Sequence, residues 1–300
     1  MSRSIRFLAA SVQGASHRRS GLPCQDSYAI RDQRFRYSRA SHRNGFYHGM
    51  NSDVRILAVA DGHGSSACPY SMYGSRFAVN TFCDIMAESC FKYRQDMDSL
   101  LLQFKRETDV IHLTRAIDME WKRRALRDYN TNKKKLPSMD ELLESADPNE
   151  DNQKAAIYRL YGTTLLGVLL TDSFLFAYQL GDGDINYIDR AEVSPMVEQD
   201  AILGVETHSL SKPGAWRNAH TSILPLPPND AEPYMYMLST DGMVNSFISK
   251  DEFRKSCQGY LDAIQQHGAE AVEKHLPSWL RQTSEEGCGD DITAVIAYVS

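Results

Sequence analysis

The chain has 300 residues, of which 42% are hydrophobic and 24% charged, a balance typical of a globular protein with a large apolar core. Its 33 basic residues are outnumbered by 39 acidic ones, and the formal net charge of −6 argues against a nucleic-acid-binding protein. The six cysteines form no C-x-x-C pair, and the N-terminal apolar run FLAA is too short for a signal peptide or a membrane span. We therefore expect a cytoplasmic protein that binds neither nucleic acid nor membranes.

In the first half of the chain, short strands precede two long helices. Residues 5–12 and 27–30 are predicted strands on either side of a polar loop, SHRRSGLPCQD. The near-continuous apolar run VRILAVA, 54–60, is typical of a strand buried on both faces. The spacing of apolar residues then predicts helices over 71–90 and 98–129.

The second half begins with a charged segment and continues mainly as strands. Residues 131–154 contain two prolines and many charges, which predicts a flexible or inserted loop. After it, the pattern predicts strands over 161–170, 174–180, 184–189, 234–239 and 292–299, and helices over 250–265 and 268–283.

Aspartates stand where the predicted strands begin or end. Asp61, Asp182 and Asp241 come at the ends of strands, whereas Asp26 and Asp290 come just before strands. Each position alone favours an ordinary turn, because Asp-Gly is a common turn dipeptide. Five such positions favour a shared pocket of carboxylate oxygens if the strand ends meet at one edge. Such a pocket needs cations, and oxygen ligands suit Mg²⁺ or Mn²⁺ rather than zinc or copper.

The run ILAVADGHGSS, 56–66, places a histidine between two glycines, which a turn alone does not require. Because Gly62 has no side chain, its carbonyl would be able to approach a metal ion closely. His63, held over that site, would donate a proton to a leaving oxygen near neutral pH. Without Asp241 and Asp290 elsewhere in the chain, His63 would instead be interpreted as an exposed turn residue.

Six segments together carry a family resemblance. They are GLPCQDS (21–27), VADGHGSS (59–66), YGTTLLGVLL (161–170), QLGDGDINYI (179–188), LSTDGMVNSF (238–247) and GDDITAVIA (289–297). On these segments the chain resembles the metal-dependent type 2C protein serine/threonine phosphatases, and more closely their bacterial stand-alone members. The resemblance implies an α+β fold, a four-layer α/β-β/α sandwich of two antiparallel sheets flanked by helices. It also implies one domain over residues 1–300, with a helical and charged-loop insertion at about 91–158.

The resemblance further implies a metal site. The family holds two divalent ions, here Mg²⁺ or Mn²⁺, with a third, weaker position beside them. The implied ligands are Asp26, Asp61, the Gly62 carbonyl, Asp182, Asp241 and Asp290. Asp61 would bridge the two ions, with Asp241 and Asp290 completing one of them. Gly62 and Asp26 would bind the second ion, and Asp182 would serve the third position.

The implied reaction is hydrolysis of phosphoserine or phosphothreonine in proteins. A water between the two ions would attack phosphorus, with Asp61 and His63 as the catalytic residues and His63 protonating the departing oxygen. The substrate would be a phosphoprotein, and the enzyme would oppose a serine/threonine kinase. The sequence does not indicate an oligomeric state.

The chain departs from the family pattern in three places. Gln25 stands where many members have glutamate, and the usual phosphate-binding arginine would fall at Gly21. Arg18 or Arg19 would bind phosphate instead, although both are equally well interpreted as solvated loop residues. The third departure is the region 91–160, which is either a partner-docking element or a tolerated insertion.

The Gly- and Pro-rich segment 214–230 is predicted to be a mobile flap that helps to select the substrate, or else an ordinary surface loop. An EF-hand beginning at Asp182 is excluded, because its sixth and twelfth positions would be Tyr187 and Val193. Neither G-x-S-x-G nor a P-loop occurs. Two alternatives to a protein phosphatase therefore remain: a catalytically weak pseudophosphatase that binds partners, and a phosphatase of a small phosphoester.

Overall fold

The computed structural model describes residues 4–35, 52–132, 150–198, 207–228 and 230–300. The strands are β1 (Ile5–Val12), β2 (Ser27–Phe35), β3 (Ser52–Ala60), β4 (Leu165–Leu170), β5 (Phe174–Leu180), β6 (Asp184–Ile188), β7 (Val193–Pro195), β8 (His220–Pro225), β9 (Tyr234–Ser239) and β10 (Ile292–Val299). The helices are α1 (Ala15–Ser20), α2 (Ser71–Lys92), α3 (Met97–Lys105), α4 (Glu107–Asn132), α5 (Glu150–Arg159), α6 (Asp241–Val244), α7 (Lys250–His267) and α8 (Ala269–Glu286), with a 3-10 helix at Ala215–Asn218.

These strands form two five-stranded sheets. The first sheet has the order β1-β10-β9-β6-β7, and the second has the order β2-β3-β4-β5-β8. Every neighbouring pair is antiparallel. The short loop after β4 is closed by its own side chain, because the Thr171 hydroxyl bonds to the Phe174 carbonyl at 2.8 Å and accepts the Phe174 N–H at 3.0 Å.

Three apolar cores separate four layers. The second half of β3, residues 56–60, is hydrophobic at every position because a strand inside a sandwich buries both faces. Ile56 and Ala58 face the core under helices α2, α3 and α4. Leu57 and Val59 face the core between the two sheets. A third core lies between the first sheet and helices α7 and α8, so the predicted α/β-β/α sandwich is confirmed.

Helices α3 and α4 belong to the predicted insertion, yet α3 packs on the second sheet and α4 packs on α2. Trp121 of α4 is fully buried, and its indole N–H donates to the Gly74 carbonyl in α2 at 2.9 Å. Phe104 of α3 stacks on Phe176 of β5 with ring centroids 4.6 Å apart. Both helices therefore contribute to the core of the sandwich.

One loop prediction and one helix prediction were wrong in part. The polar loop at 16–26 is helical in its first turns, as α1, which ends where Gly21 adopts a left-handed conformation with φ 73°. The single helix predicted over 98–129 is two helices, because the backbone of Arg106 is extended at φ −88° and ψ 119°. Asp96 caps α3 by accepting the Ser99 N–H at 3.0 Å, a separate helix start that the apolar spacing does not reveal.

The two segments predicted as loops contain regular structure. Residues 214–230 include the 3-10 helix and β8, which pairs with β5 from Gln179 to Phe174 as an edge strand. Trp216 is half-buried, with Arg217 over its ring at 4.6 Å, rather than exposed. Of the predicted loop 131–154, both ends are helical, and 133–149 lies outside the described residues. No helix in the described part of the chain is long and apolar enough to cross a membrane.

Candidate active site

The antiparallel register brings the strand ends together. In an antiparallel pair, the end of one strand lies beside the beginning of its neighbour. Ala60 at the end of β3 pairs with Ser27 at the start of β2, which places Asp61 next to Asp26. Ser239 at the end of β9 pairs with Ala294 near the start of β10, which places Asp241 near Asp290.

Four aspartates surround Asp61. Carboxylate oxygens of Asp61, Asp182 and Asp241 lie within 4.8 Å of one another. Burial, and then the charges of Asp26, Asp241, Asp290 and Asp182, raise the pKa of Asp61 well above its usual range. The structure therefore brings together all five of the aspartates that the sequence places at strand ends.

Asp26 is the most buried of these carboxylates. Its Oδ2 accepts the Thr240 hydroxyl at 2.8 Å, a bond that joins the two sheets at the site. Burial and the neighbouring Asp291 raise the pKa of Asp26 to about 8. Its other oxygen, Oδ1, is buried without a hydrogen-bond partner among the described residues. A buried carboxylate oxygen that lacks a partner is costly, and a bound cation would remove that cost.

The residues present fit divalent ions bound by oxygen. Among the described residues, no lysine or arginine forms an ion pair with the five aspartates, although the imidazole Nε2 of His17 lies 3.8 Å from Oδ1 of Asp290. Burial, and then Asp182 and Asp290, raise the pKa of Asp241 to about 6, which reflects this uncompensated charge. Oxygen-only donors of this kind favour Mg²⁺ or Mn²⁺.

Two threonines hold the backbone of Asp61. The Thr163 hydroxyl and the Thr164 N–H both donate to the Asp61 carbonyl, at 2.7 Å and 2.9 Å. The Asp61 N–H in turn donates to the Thr164 hydroxyl at 3.0 Å. These bonds explain why the segment YGTTLLGVLL contains two threonines. Its first four residues precede strand β4, which was predicted to begin at residue 161.

Gly62 and Gly162 are glycines because other groups approach them closely. A Cβ on Gly62 would lie 2.5 Å from the Gln25 carbonyl oxygen and 2.8 Å from that of Ser71. The His63 N–H donates to the Gly162 carbonyl at 3.1 Å. A Cβ on Gly162 would lie 2.6 Å from Cδ2 of His63, so the imidazole packs directly against that glycine.

His17 is a site residue that the sequence analysis missed. Its Nδ1 lies 2.9 Å from Oδ1 of Asp291, and its side chain is only 12% exposed. A Cβ on Gly64 would lie 3.1 Å from Nε2 of His17 and 3.2 Å from Oε1 of Gln25. Three hydrophilic residues separate His17 from Gly21 in the sequence. The helical turn of α1 places the His17 side chain near the aspartates, and no periodic pattern in the sequence reveals that turn.

Asp291, the neighbour of Asp290, is buried and accepts hydrogen bonds from two backbone N–H groups. Its Oδ1 accepts the Gly14 N–H at 2.6 Å, and its Oδ2 accepts the Gln25 N–H at 2.6 Å. It therefore ties the N-terminal segment that carries His17 and Asp26 to the start of β10.

Neither arginine of α1 contacts the aspartate cluster among the described residues. Arg18 donates to the Gln13 carbonyl at 2.8 Å and to the Glu285 carboxylate at 2.6 Å. Arg19 is exposed on the last turn of the helix. Their role in phosphate binding stays a prediction.

Comparison with known protein families identifies the family of this chain. A family model described as Protein phosphatase 2C matches residues 13–281. The chain belongs to the protein phosphatase 2C family. It is accordingly a metal-dependent serine/threonine protein phosphatase, and neither the pseudophosphatase nor the small-phosphoester alternative is favoured. The matched interval ends before Asp290 and Asp291, so those two residues are placed by the structure alone.

Solved structures show the same fold. The S. agalactiae serine/threonine phosphatase is 14% identical with a TM-score of 0.56, and the match covers 99% of this chain and 100% of that one. The catalytic domain of the phosphatase PstP, solved in complex with two manganese ions, is 15% identical with a TM-score of 0.50 and 99% of each chain covered. The SpoIIE phosphatase domain from Bacillus subtilis is 11% identical with a TM-score of 0.50, covering 100% of this chain and 93% of that one. No curated protein matches.

Proposed function

We propose that this phosphatase removes phosphate from phosphoserine and phosphothreonine with two divalent ions held by Asp26, Asp61, Gly62, Asp241 and Asp290. The observation that carries the proposal is a cluster of five aspartates, Asp61 and four around it, without a lysine or arginine partner among the described residues. When bound, the ions supply neutralising charge and Lewis-acid activation of water and of the phosphoryl oxygens.

The chain's own groups position the reaction. The threonines that hold the Asp61 backbone keep its carboxylate aimed at the other strand ends. His63 follows two residues later, with its N–H bonded to Gly162 and its ring packed on the same residue. From that place His63 delivers a proton to the departing serine or threonine oxygen, which is a poor leaving group without one.

The same residues support the choice of metal ion, the third metal position and the type of substrate. Mg²⁺ and Mn²⁺ are the ions of choice because all donors are oxygens, and the two manganese ions of PstP support Mn²⁺. Asp182 is exposed and already accepts the Thr207 hydroxyl at 2.6 Å, which suits the third, weaker position. The phosphoprotein substrate implies a serine/threonine kinase that produces it.

The test combines metal binding with turnover. Asp241→Asn removes one ligand charge, and Asp262→Asn is the matched control because Asp262 is exposed on α7. We expect calorimetry to show Mn²⁺ binding weakened at least tenfold in Asp241→Asn and unchanged in Asp262→Asn. Hydrolysis of a phosphoserine peptide should fall by about 10² or more only in the first variant. Wild-type protein that binds Mn²⁺ but releases no phosphate would contradict the proposal.

A further inference from the structure

A cleft of about 390 Å³ lies under α7, but a larger one of about 670 Å³ opens directly beside His63. Its walls are the turn after His63, the end of α5 and the segment 207–213. The charged or polar lining side chains are His63, Ser65, Arg159, Thr207, Ser209, Ser211 and Lys212. Helix α5 thus forms one wall of a cleft that is also lined by His63, the proposed proton donor.

The wall 207–213 is hydrogen-bonded to Thr163, just before β4. The Leu210 N–H donates to the Thr163 carbonyl at 2.9 Å, and the Thr163 N–H donates to the Ser209 hydroxyl at 3.1 Å. Lys122 of α4 supports the same wall by donating to the Lys212 carbonyl at 3.0 Å. Because Thr163 also holds the backbone of Asp61, the cleft has a fixed position relative to the aspartate cluster.

The charge of the cleft is opposite to that of the chain. Arg159 and Lys212 line it, and none of its lining residues carries a carboxylate, although the protein as a whole has a net charge of −6. Arg159 is exposed on the last turn of α5. A concave basic surface beside an anionic cluster attracts negative groups locally, and the arginine fork suits carboxylate or phosphate.

We propose that this cleft receives the residues next to the phosphorylated side chain and selects substrates in which those neighbours are anionic. The inference rests on the proposed function, since it needs the phosphoryl group beside His63. An extended peptide advances by roughly 3.3–3.6 Å per residue, so the immediate neighbours of the phosphorylated residue reach the cleft. The anionic group is a carboxylate or a second phosphate, which Arg159 recognises in the same way.

The experiment compares three phosphoserine peptides that differ only in the residues on either side: glutamate, a second phosphoserine, or glutamine. With wild-type, Mn²⁺-loaded protein we expect kcat/KM for the two anionic peptides to exceed that of the glutamine peptide by about tenfold. Arg159→Gln and, separately, Lys212→Gln should each reduce this preference by about three- to fivefold, mainly through KM. Arg281→Gln, an exposed arginine on α8, is the matched control and should keep the full preference.

The preference is a ratio within one protein sample, so partial misfolding of a variant does not alter it. Equal kcat/KM for all three wild-type peptides, or an unchanged preference in both cleft variants, would overturn the inference and leave the phosphatase assignment intact. A wild-type preference for glutamate without one for the second phosphoserine would identify carboxylates as the ligand, and the reverse would identify phosphate. Failure to hydrolyse any of the peptides would overturn the proposed function itself.

Discussion

Gly162→Ala tests whether His63 works from the position that the structure gives it. The added Cβ would lie 2.6 Å from Cδ2 of His63 and 3.1 Å from Sγ of Cys68. Carbon atoms in contact are normally about 3.5–4.0 Å apart, so the imidazole must move by about 1 Å. The backbone of the segment is held by the bonds from Thr163 and Thr164 to Asp61, so the movement falls on the ring.

A displacement of about 1 Å in a catalytic group is expected to cost roughly 10² in kcat/KM, or about 2.7 kcal/mol of transition-state stabilisation. The cost should depend on the leaving group. A phosphoserine peptide needs a proton on the departing oxygen, whereas an aryl phosphate has a leaving group that departs without one. We therefore expect a loss of about 10² on the peptide and a loss several-fold smaller on the aryl phosphate.

The assay measures kcat/KM on both substrates with saturating Mn²⁺, together with thermal unfolding. Gly259→Ala is the matched control, because that glycine is in α7 and a Cβ there meets no atom within 4 Å. It should keep full activity and gain about 0.5–1 kcal/mol of stability from helix propensity. Full activity of Gly162→Ala on the peptide, or the same loss on both substrates, would refute the reasoning about His63.

Three further predictions concern stability. Thr163→Val removes the hydroxyl that donates to the Asp61 carbonyl, and urea denaturation should show a loss of about 1 kcal/mol; an unchanged midpoint would mean that this bond contributes nothing. Trp121→Phe should lose about 2 kcal/mol because it removes packing and an indole hydrogen bond, whereas Met119→Ala, 60% exposed on the same helix, should stay within about 0.5 kcal/mol; equal effects would contradict a core role for α4. In EDTA, the free energy of unfolding should fall as pH rises from about 4 to about 8, because burial raises the pKa of Asp26 to about 8 and the folded state therefore binds its proton more tightly than the unfolded state. Asp26→Asn should flatten that dependence, and a wild-type slope retained in this variant would refute the assignment.

Much of the site follows from local sequence. VRILAVA is apolar at every position except Arg55 and is followed by Asp-Gly, so both the buried strand and the aspartate after it are visible without coordinates. The same holds for YMYMLST before Asp241, whose strand is buried along its whole length. Turn chemistry and apolar runs are short-range properties, and they identified most of the central strands.

Short helices, edge strands and breaks between helices could not be predicted from apolar runs and turn residues. The edge strand β8 has half-buried residues at most positions, so its sequence predicts a loop. Its strand conformation depends on pairing with β5. The break at Arg106 contains neither proline nor glycine, so apolar spacing alone continues the helix through it. Helix α1 has six residues, too few to show an apolar periodicity.

The sequence by itself determined which residues carry the chemistry: aspartates at strand ends, a histidine between two glycines, and oxygen donors that suit hard divalent ions. Only the tertiary structure decided that these groups meet, because Asp26 and Asp290 are 264 positions apart along the chain (290 − 26). It also added His17 and Asp291, and it placed Arg159 and Lys212 in the lining of one cleft. The physical reason lies in how strands pair. Antiparallel pairing joins distant strand ends through backbone hydrogen bonds, which every sequence can form, so these bonds do not reveal which strands will pair. The register and the layer packing depend on which faces of the whole chain become buried.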